Sequence, residues 1–199
     1  NPPWEQVVLI EKEFFASRAP VIADAPTTAA RSKLINALGK ADPLADPDRL
    51  KLWHEYVAAK HGKESETIFM KESGRYQFLS GKLNTYQAFV ALFRQILGKG
   101  GRLGIIVPSG IATDNSNKEL FSELVETESL VSLYDFENRD GIFPGVHRSF
   151  KFCLLSVGAL GAGREGADFA FFLTNPRQLA ERIRHFELTR EDIVLLNPN

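Results

Sequence analysis

The sequence predicts an α/β fold with a helical insertion before the sheet and an antiparallel strand pair at the end of the sheet. Three observations predict this class. Residues 5–74 carry apolar side chains at helical spacing, residues 103–107 form a short run that is apolar on both faces, and two later strand patterns are joined by a loop. The order helix, strand, helix, strand, loop, strand is that of the back half of an α/β sheet.

Residues 5–74 read as helices joined by polar breaks, and we interpret them as an insertion on the core fold. Asp46-Pro47 has the form of an N-cap followed by proline at the first helical position, and Thr27 or Thr28 can cap an earlier helix. Gly39 and Gly62 are placed to end these helices. The predicted helices span residues 5–15, 28–38 and 47–62.

The second half of the chain alternates helix and strand patterns. We place the strand at residues 103–107 centrally in a parallel sheet, because a strand that is apolar on both faces is usually covered on both. Ser116 and Glu119 have the spacing of a capping box at a helix start. The two strands joined by a loop are expected to pair antiparallel at a sheet edge. The predicted elements are helices at 83–97, 116–125 and 176–186, strands at 103–107, 130–136, 150–157 and 169–173, a glycine-rich turn at 158–166 and a connector at 188–199.

Composition excludes several classes of function. A net charge of −1 argues against non-specific polyanion binding as the main activity, although it does not exclude a local basic groove. The single Cys153 lies in an apolar run, where we expect a buried, inert thiol, and one cysteine with four histidines gives no metal-ligand spacing. The longest apolar stretch, near residues 152–163, is too short and too glycine-rich to cross a bilayer. We therefore expect a reducing, cytoplasmic compartment, no membrane contact and no metal.

Asn1-Pro2-Pro3-Trp4 is the most informative motif. The amide oxygen of Asn1 and the carbonyl of Pro2 are two acceptors for one exocyclic NH2 group, and Trp4 offers a flat face for an aromatic ring. The two prolines stiffen the segment and supply no competing N–H. The alternative is an ordinary turn or helix start, since Asn-Pro is common in turns.

Three further blocks follow this motif in order. They are Leu83-Asn84-Thr85-Tyr86 at a helix start, the run from Gly100 to Gly110, and Tyr134-Asp135-Phe136-Glu137-Asn138 with Ile142-Phe143-Pro144. Together, over residues 1–157, they resemble adenine-specific DNA methyltransferases that use S-adenosylmethionine, of the kind found in bacterial restriction-modification and phage-defence systems. The resemblance implies the C-terminal half of a Rossmann-like class I methyltransferase sheet.

The resemblance also implies roles for individual residues. Asn1 and Pro2 would hold the amino group of a flipped adenine and Trp4 would stack on the base, so these three are the expected catalytic residues. The expected substrate-binding residues are Pro3, Phe143, which would contact the other face or edge of the base, and the loop cations Arg148 and His147. The alternative for Arg139, His147, Arg148 and Lys151 is a solvated charged loop, and the alternative for Asp135 and Glu137, which look like a catalytic carboxylate pair, is an ordinary strand end.

In this family the glycine-rich turn and the acidic residue that hold the cofactor precede the Asn-Pro-Pro motif. Since the chain does not begin with Met and starts inside that motif, we expect a fragment that is inactive alone. Residues 1–157 would be a partial catalytic domain with its insertion at 5–74, and residues 158–199 a linker and the start of a target-recognition region. The implied partners are double-stranded DNA and, in a longer protein, a fused nuclease or helicase.

Two other functions remain open on the residues alone. Methyltransferases that modify protein glutamine or RNA bases also carry Asn-Pro-Pro-aromatic motifs, although the long helical stretch after Trp4 argues against the small glutamine-modifying enzymes. A non-catalytic DNA-binding module with the same fold is the third reading, and loss of the residues that grip the target would favour it. All of those residues are present.

Overall fold

The structure is a computed structural model that describes residues 1–159 and 165–196. The chain forms two compact units, one of residues 7–69 and one that joins residues 1–6 to the chain from residue 70 onward. The helices are α1 (Glu11–Ala16), α2 (Pro20–Ala23), α3 (Thr28–Leu38), α4 (Pro47–Glu72), α5 (Thr85–Gln95), α6 (Gly110–Thr113), α7 (Lys118–Glu126) and α8 (Arg190–Leu196). The strands are β1 (Arg102–Pro108), β2 (Leu130–Glu137), β3 (Lys151–Gly158), β4 (Gly166–Leu173) and β5 (Phe186–Thr189).

The five strands form one sheet in the order β1-β3-β2-β4-β5, which confirms the α/β class. β3 pairs antiparallel with both β1 and β2, so the predicted antiparallel pair is confirmed. β4 runs parallel to β2, and β5 returns antiparallel to β4. The register places Pro108 and Phe136 beside Phe152, and Phe136 beside Leu173. The carboxyl ends of β1, β2 and β4 therefore share one edge of the sheet.

Two sheet predictions are wrong. β1 was expected to be central and parallel, but among the described residues it is an outer strand that pairs antiparallel with β3. Its apolar character has another cause: Ile105 and Val107 face the helix-covered core, while Ile106 packs with Trp4 on the opposite face. The β2–β3 pair was expected at a sheet edge, but β1 and β4 flank it because β4 adds parallel to β2.

The main core lies between the sheet and helices α5 and α7. Val90 of α5 and Leu124 of α7 are fully buried there. A buried polar network links the helices: Gln87 donates to the Asn117 side chain, which donates to the hydroxyl of Tyr86 and the carbonyl of Gly110. The capping box predicted at Ser116 is not formed, because Ser116 lies within a short 3-10 turn and α7 begins after Asn117.

The chain after β4 differs from the prediction. The helix expected at residues 176–186 is two short 3-10 turns, because Phe186 already pairs with Phe169 as the start of β5. The expected connector at 188–199 contains the end of β5 and α8. The turn predicted at 158–166 lies mostly outside the described residues, as do residues 197–199. β4 and β5 belong to the same sheet as the strands before them, and the division proposed at residue 158 stays a prediction.

The unit of residues 7–69 is helical and has its own core around Phe15, Ile35 and Tyr56. The prediction for α3 is confirmed, since the Thr27 side chain caps it and Gly39 follows it. α4 continues through Gly62 to Glu72, so the predicted stop is wrong; Gly62 is solvent-exposed and sits among strong helix formers.

The first predicted helix is shorter than expected. Residues 5–10 are not helical because Glu5 hydrogen-bonds Thr85 and Gln6 forms a β-bridge with Asn84. The helix begins only at Glu11. In the part of the chain that the structure describes, no helix combines the length and apolar character needed to span a membrane.

Candidate active site

Trp4 is anchored near the carboxyl end of β1. Its indole N–H donates to the carbonyl oxygen of Ile106 at 3.2 Å, and its ring is stacked on Phe150, with the ring centroids 5.5 Å apart and an angle of 8° between the planes. Trp4 also packs against the main core and against the small apolar cluster around Phe136 and Phe152. These contacts bring residues 1–4, which we call the tetrapeptide, to the edge of the sheet where β1 and β2 end.

Thr85, the first residue of α5, holds the tetrapeptide next to Trp4, at Pro3. Its hydroxyl donates to the carbonyl of Pro3 at 2.7 Å and accepts the N–H of Glu5 at 3.1 Å. The Thr85 N–H donates to the carbonyl of Glu5 at 2.9 Å. Asn84 caps α5 in a full capping box with Gln87, which fixes the direction in which Thr85 points.

The predicted amino-group acceptors are not engaged. Asn1 is exposed and Pro2 is buried. Within residues 1–159 and 165–196, nothing hydrogen-bonds to the Asn1 amide or to the Pro2 carbonyl. The segment is therefore fixed through Pro3 and Trp4, while its two acceptors have no hydrogen-bond partner among the described residues.

The loop of residues 138–150 faces the tetrapeptide and is organised by Asn138, which is fully buried. The Asn138 side-chain oxygen accepts the N–H of Phe143 at 2.9 Å. Its amide donates to the carbonyls of Phe143 and Val146 at 3.0 and 2.8 Å. Sequence reasoning assigned Asn138 no role. Its position between a predicted strand and Gly141 is the only local feature that indicates a residue organising a turn.

The two aromatic residues of the loop have different surroundings. Phe143, the predicted base contact, packs edge-on against Phe152 with centroids 5.0 Å apart, in the cluster that Trp4 also contacts. Phe150 is the ring stacked on Trp4, and sequence reasoning missed it because it reads as the first residue of a strand. The structure thus brings Phe143 and the tetrapeptide to one cluster, with Phe150 stacked on the tetrapeptide itself.

Three of the cationic side chains in or beside this loop make polar contacts with other residues of the same region. The Arg148 guanidinium donates to the Arg139 carbonyl at 3.2 Å and lies over Gly141, whose φ of +75° favours glycine. Arg139 forms an ion pair with Glu137 at 2.8 Å. The Nδ1 atom of His147 lies 2.8 Å from the Ser149 hydroxyl. All four expected phosphate contacts, Arg139, His147, Arg148 and Lys151, are exposed.

The two carboxylates at the end of β2 already have partners. Asp135 is 8% exposed and accepts a short hydrogen bond from the Ser109 hydroxyl, and Glu137 pairs with Arg139. Both carboxylates are therefore engaged within the chain. Burial raises the pKa of the Cys153 thiol, next to Asp135, and confirms the expected buried cysteine. No group of side chains suited to a metal ion occurs among the residues described.

Residues 56–143 match the model of a family described as Eco57I restriction-modification methylase. The match covers less than half of the chain and includes the second and third blocks and the fourth as far as Phe143, but not the tetrapeptide. A comparison with curated proteins gives no match.

Two solved structures illustrate the comparison with known folds. The type IIG restriction endonuclease BpuSI aligns with a TM-score of 0.46 at 19% identity, over 67% of this chain and 17% of that protein. The ATP-dependent type ISP restriction-modification enzyme LlaBIII, bound to DNA, aligns with a TM-score of 0.43 at 9% identity, over 94% of this chain and 12% of that protein. The chain thus corresponds to less than a fifth of the length of either protein.

Proposed function

We propose that the chain is the target-binding part of an adenine-specific DNA methyltransferase that acts on double-stranded DNA in the cytoplasm. One observation carries the proposal: the anchoring of Trp4 and Pro3 sets the tetrapeptide beside the 138–150 loop, with the Asn1 amide and the Pro2 carbonyl unengaged. Ligands of open α/β sheets bind at the carboxyl edge of the strands, where these segments lie. The family match over residues 56–143 supports methyl transfer as the reaction.

In this proposal the chain positions the amino group of a flipped adenine. The Asn1 side-chain oxygen and the Pro2 carbonyl accept its two hydrogens, which draws the nitrogen lone pair out of conjugation with the ring. Trp4 stacks on the base and Phe143 contacts its other face or edge. No general base with a shifted pKa is required, because the proton leaves only after the nitrogen has gained the methyl group.

S-adenosylmethionine would supply the methyl group, and we expect its main binding residues before Asn1. The isolated chain should therefore bind the cofactor weakly or not at all and be inactive. Residues 158–199 would lead to a target-recognition region, and a nuclease or helicase fused in a longer protein is the expected partner. Calorimetry on the isolated chain tests the cofactor part, and a micromolar dissociation constant would contradict it.

The test of the function is Asn1→Ala in a protein that joins this chain to the cofactor-binding segment. Loss of one acceptor at the reacting nitrogen should cost about 3 kcal/mol of transition-state stabilisation, by analogy with loss of an oxyanion-hole donor. Tritium transfer to double-stranded DNA should fall at least about a hundredfold, while DNA affinity stays near wild type. The matched control is Asn115→Ala, an exposed asparagine of the turn before α7. Near-normal turnover of the Asn1 variant would show that the tetrapeptide is structural.

A further inference from the structure

Phe150 is stacked on one face of Trp4 too closely for a base to lie between the two rings. The two rings are nearly parallel, at 8°, so the distance between their planes cannot exceed the 5.5 Å between their centroids. A base held between two rings needs about 3.5 Å of van der Waals separation on each side, or roughly 7 Å in all. No base can therefore enter between Trp4 and Phe150 in this conformation.

The two rings differ in their freedom to move. Trp4 is fixed by its hydrogen bond to the Ile106 carbonyl and by packing against two apolar clusters. The backbone of Phe150 is also fixed, since its carbonyl accepts the Asn138 N–H at 2.9 Å and its N–H donates to the His147 carbonyl at 3.0 Å. The Phe150 residue is 37% exposed. Side-chain rotation into solvent is therefore the motion that uncovers Trp4, and it needs no opening of the loop.

We propose that Phe150 is an internal substitute for the target base. It stacks on Trp4 when no base is bound and turns away when a flipped base arrives. This inference rests on the proposed function, and it adds a residue that sets how readily a base is captured. Because the base must displace a ring that already stacks on Trp4, every base binds more weakly than it would to an uncovered Trp4.

The competing stack sets the size of the expected effect. Loss of the aromatic pair of Phe150 and Trp4 should raise the affinity of Trp4 for a competing ring by about 2- to 12-fold. Phe150→Ala should therefore bind a free base more tightly than the wild type does. If Phe150 were instead a fixed second wall of the base site, the same substitution would weaken binding.

The experiment uses the 199-residue chain in a Trp53→Phe background, so that Trp4 is the only tryptophan. Acrylamide quenching of Trp4 fluorescence reports whether its face is covered, and titration with 2′-deoxyadenosine reports base binding. Phe150→Ala removes the ring and Phe150→Tyr keeps it, which also controls for a folding defect. Phe69→Ala, at an exposed position of α4, is the matched control.

The inference predicts that quenching rises only in Phe150→Ala and that this variant binds 2′-deoxyadenosine about 2- to 12-fold more tightly. Unchanged quenching, no measurable binding by either protein, or binding that is unchanged or weaker would overturn it. Two further titrations separate this inference from the proposed adenine function. The first replaces 2′-deoxyadenosine by thymidine, which has no exocyclic amino group, and the second adds Asn1→Ala to the Phe150→Ala variant. If Phe150→Ala binds thymidine equally well and without dependence on Asn1, then Phe150 does cover Trp4 but the proposed adenine function fails.

Discussion

The tetrapeptide and the 138–150 loop meet at one edge of the sheet, yet they are held in opposite ways. The tetrapeptide is fixed by groups outside it, the Thr85 hydroxyl and the Ile106 carbonyl. The loop is fixed mainly from within, by the Asn138 side chain and by the contact of Arg148 with the Arg139 carbonyl.

The difference explains which polar groups remain available. Because the anchors of the tetrapeptide use Pro3 and Trp4, the acceptors on Asn1 and Pro2 have no partner among the described residues. The loop instead satisfies several of its backbone groups internally, so it contributes side chains, and above all rings, to the site. Four predictions test this contrast, from the largest expected effect to the smallest.

Asn138→Ala should cause the largest loss of stability. It removes the partner of the Phe143 N–H and of three carbonyls at once, and each buried group left unsatisfied costs about 1–3 kcal/mol, part of which water restores. We expect the free energy of unfolding to fall by about 2–4 kcal/mol, measured by urea denaturation with Trp4 fluorescence in the Trp53→Phe background. Asn115→Ala, at an exposed site, should change it by less than about 0.5 kcal/mol. A small effect at Asn138 would mean that the loop is held from outside after all.

Phe143→Ala should affect the function more than the loop. The backbone of Phe143 keeps both hydrogen bonds to Asn138, so the loop retains its shape without the ring. If the ring contacts the flipped base, its loss should weaken base capture by about 1–3 kcal/mol, whereas Phe143→Trp should be tolerated. Fluorescence of 2-aminopurine at the target position, in a protein that includes the cofactor segment, measures extrusion. Unchanged fluorescence and kinetics would make Phe143 a packing residue of the cluster around Phe152.

Thr85→Val should misplace the tetrapeptide without unfolding the protein. It removes the hydroxyl of the half-buried Thr85, whose hydrogen bonds to Pro3 and Glu5 are solvent-exposed, so water can replace it. Loss of one such hydrogen bond is worth about 1 kcal/mol, so kcat for methylation should fall by about fivefold with little change in KM. Thr85→Ser keeps the hydroxyl and should restore the rate. Equal rates in the valine and serine variants would show that the anchor is not needed.

Sequence reasoning can propose the chemistry of the site but not its assembly. The acceptors of Asn1 and Pro2 and the ring of Trp4 can be read from four residues, and the capping of α3 and α5 depends on near neighbours. The anchors of the tetrapeptide cannot be read in this way. Thr85 is 82 residues from Pro3 and Ile106 is 102 residues from Trp4, so no local spacing encodes either contact.

The fold shows the same limit. The prediction for β1 failed because its second apolar face is used by packing with Trp4 and not by a central place in a parallel sheet. The helix predicted after Pro176 failed because pairing of Phe186 with Phe169 begins β5 there. In both cases the local sequence pattern fitted the predicted element, but a contact between residues distant in sequence determined which element forms.

The fourth prediction concerns residues 176–185. A titratable side chain, His185, holds this segment, whereas the tetrapeptide and the 138–150 loop are held mainly by neutral hydrogen bonds. His185 ties residues 176–185 to the sheet through Nδ1, 2.8 Å from the Asp168 carboxylate, and through Nε2, 3.0 Å from the Leu179 carbonyl. A carbonyl only accepts hydrogen bonds, and so does an ionised carboxylate, so both contacts are made fully by the protonated imidazole. The hydrogen bond that His185 donates to Asp168, and to a smaller extent the one that it donates to Leu179, raises the pKa of His185.

Because the folded-state pKa of His185 is raised, its contribution is fully present below the pKa of an unfolded histidine, about 6.5, and is lost as the pH rises through the folded-state value. We expect the hydrogen-exchange protection factors of the β4 and β5 amides, in which the intrinsic pH dependence of exchange is removed, to fall over that range. Trp4 fluorescence should stay constant, because neutral hydrogen bonds anchor the tetrapeptide. His185→Gln, which can donate only to one side, should remove the pH dependence, and Asp168→Asn should lower the pKa of His185 in an NMR titration. A Trp4 signal that titrates together with the exchange rates would show that the two regions are coupled, and the contrast between neutral and titratable anchors would then fail.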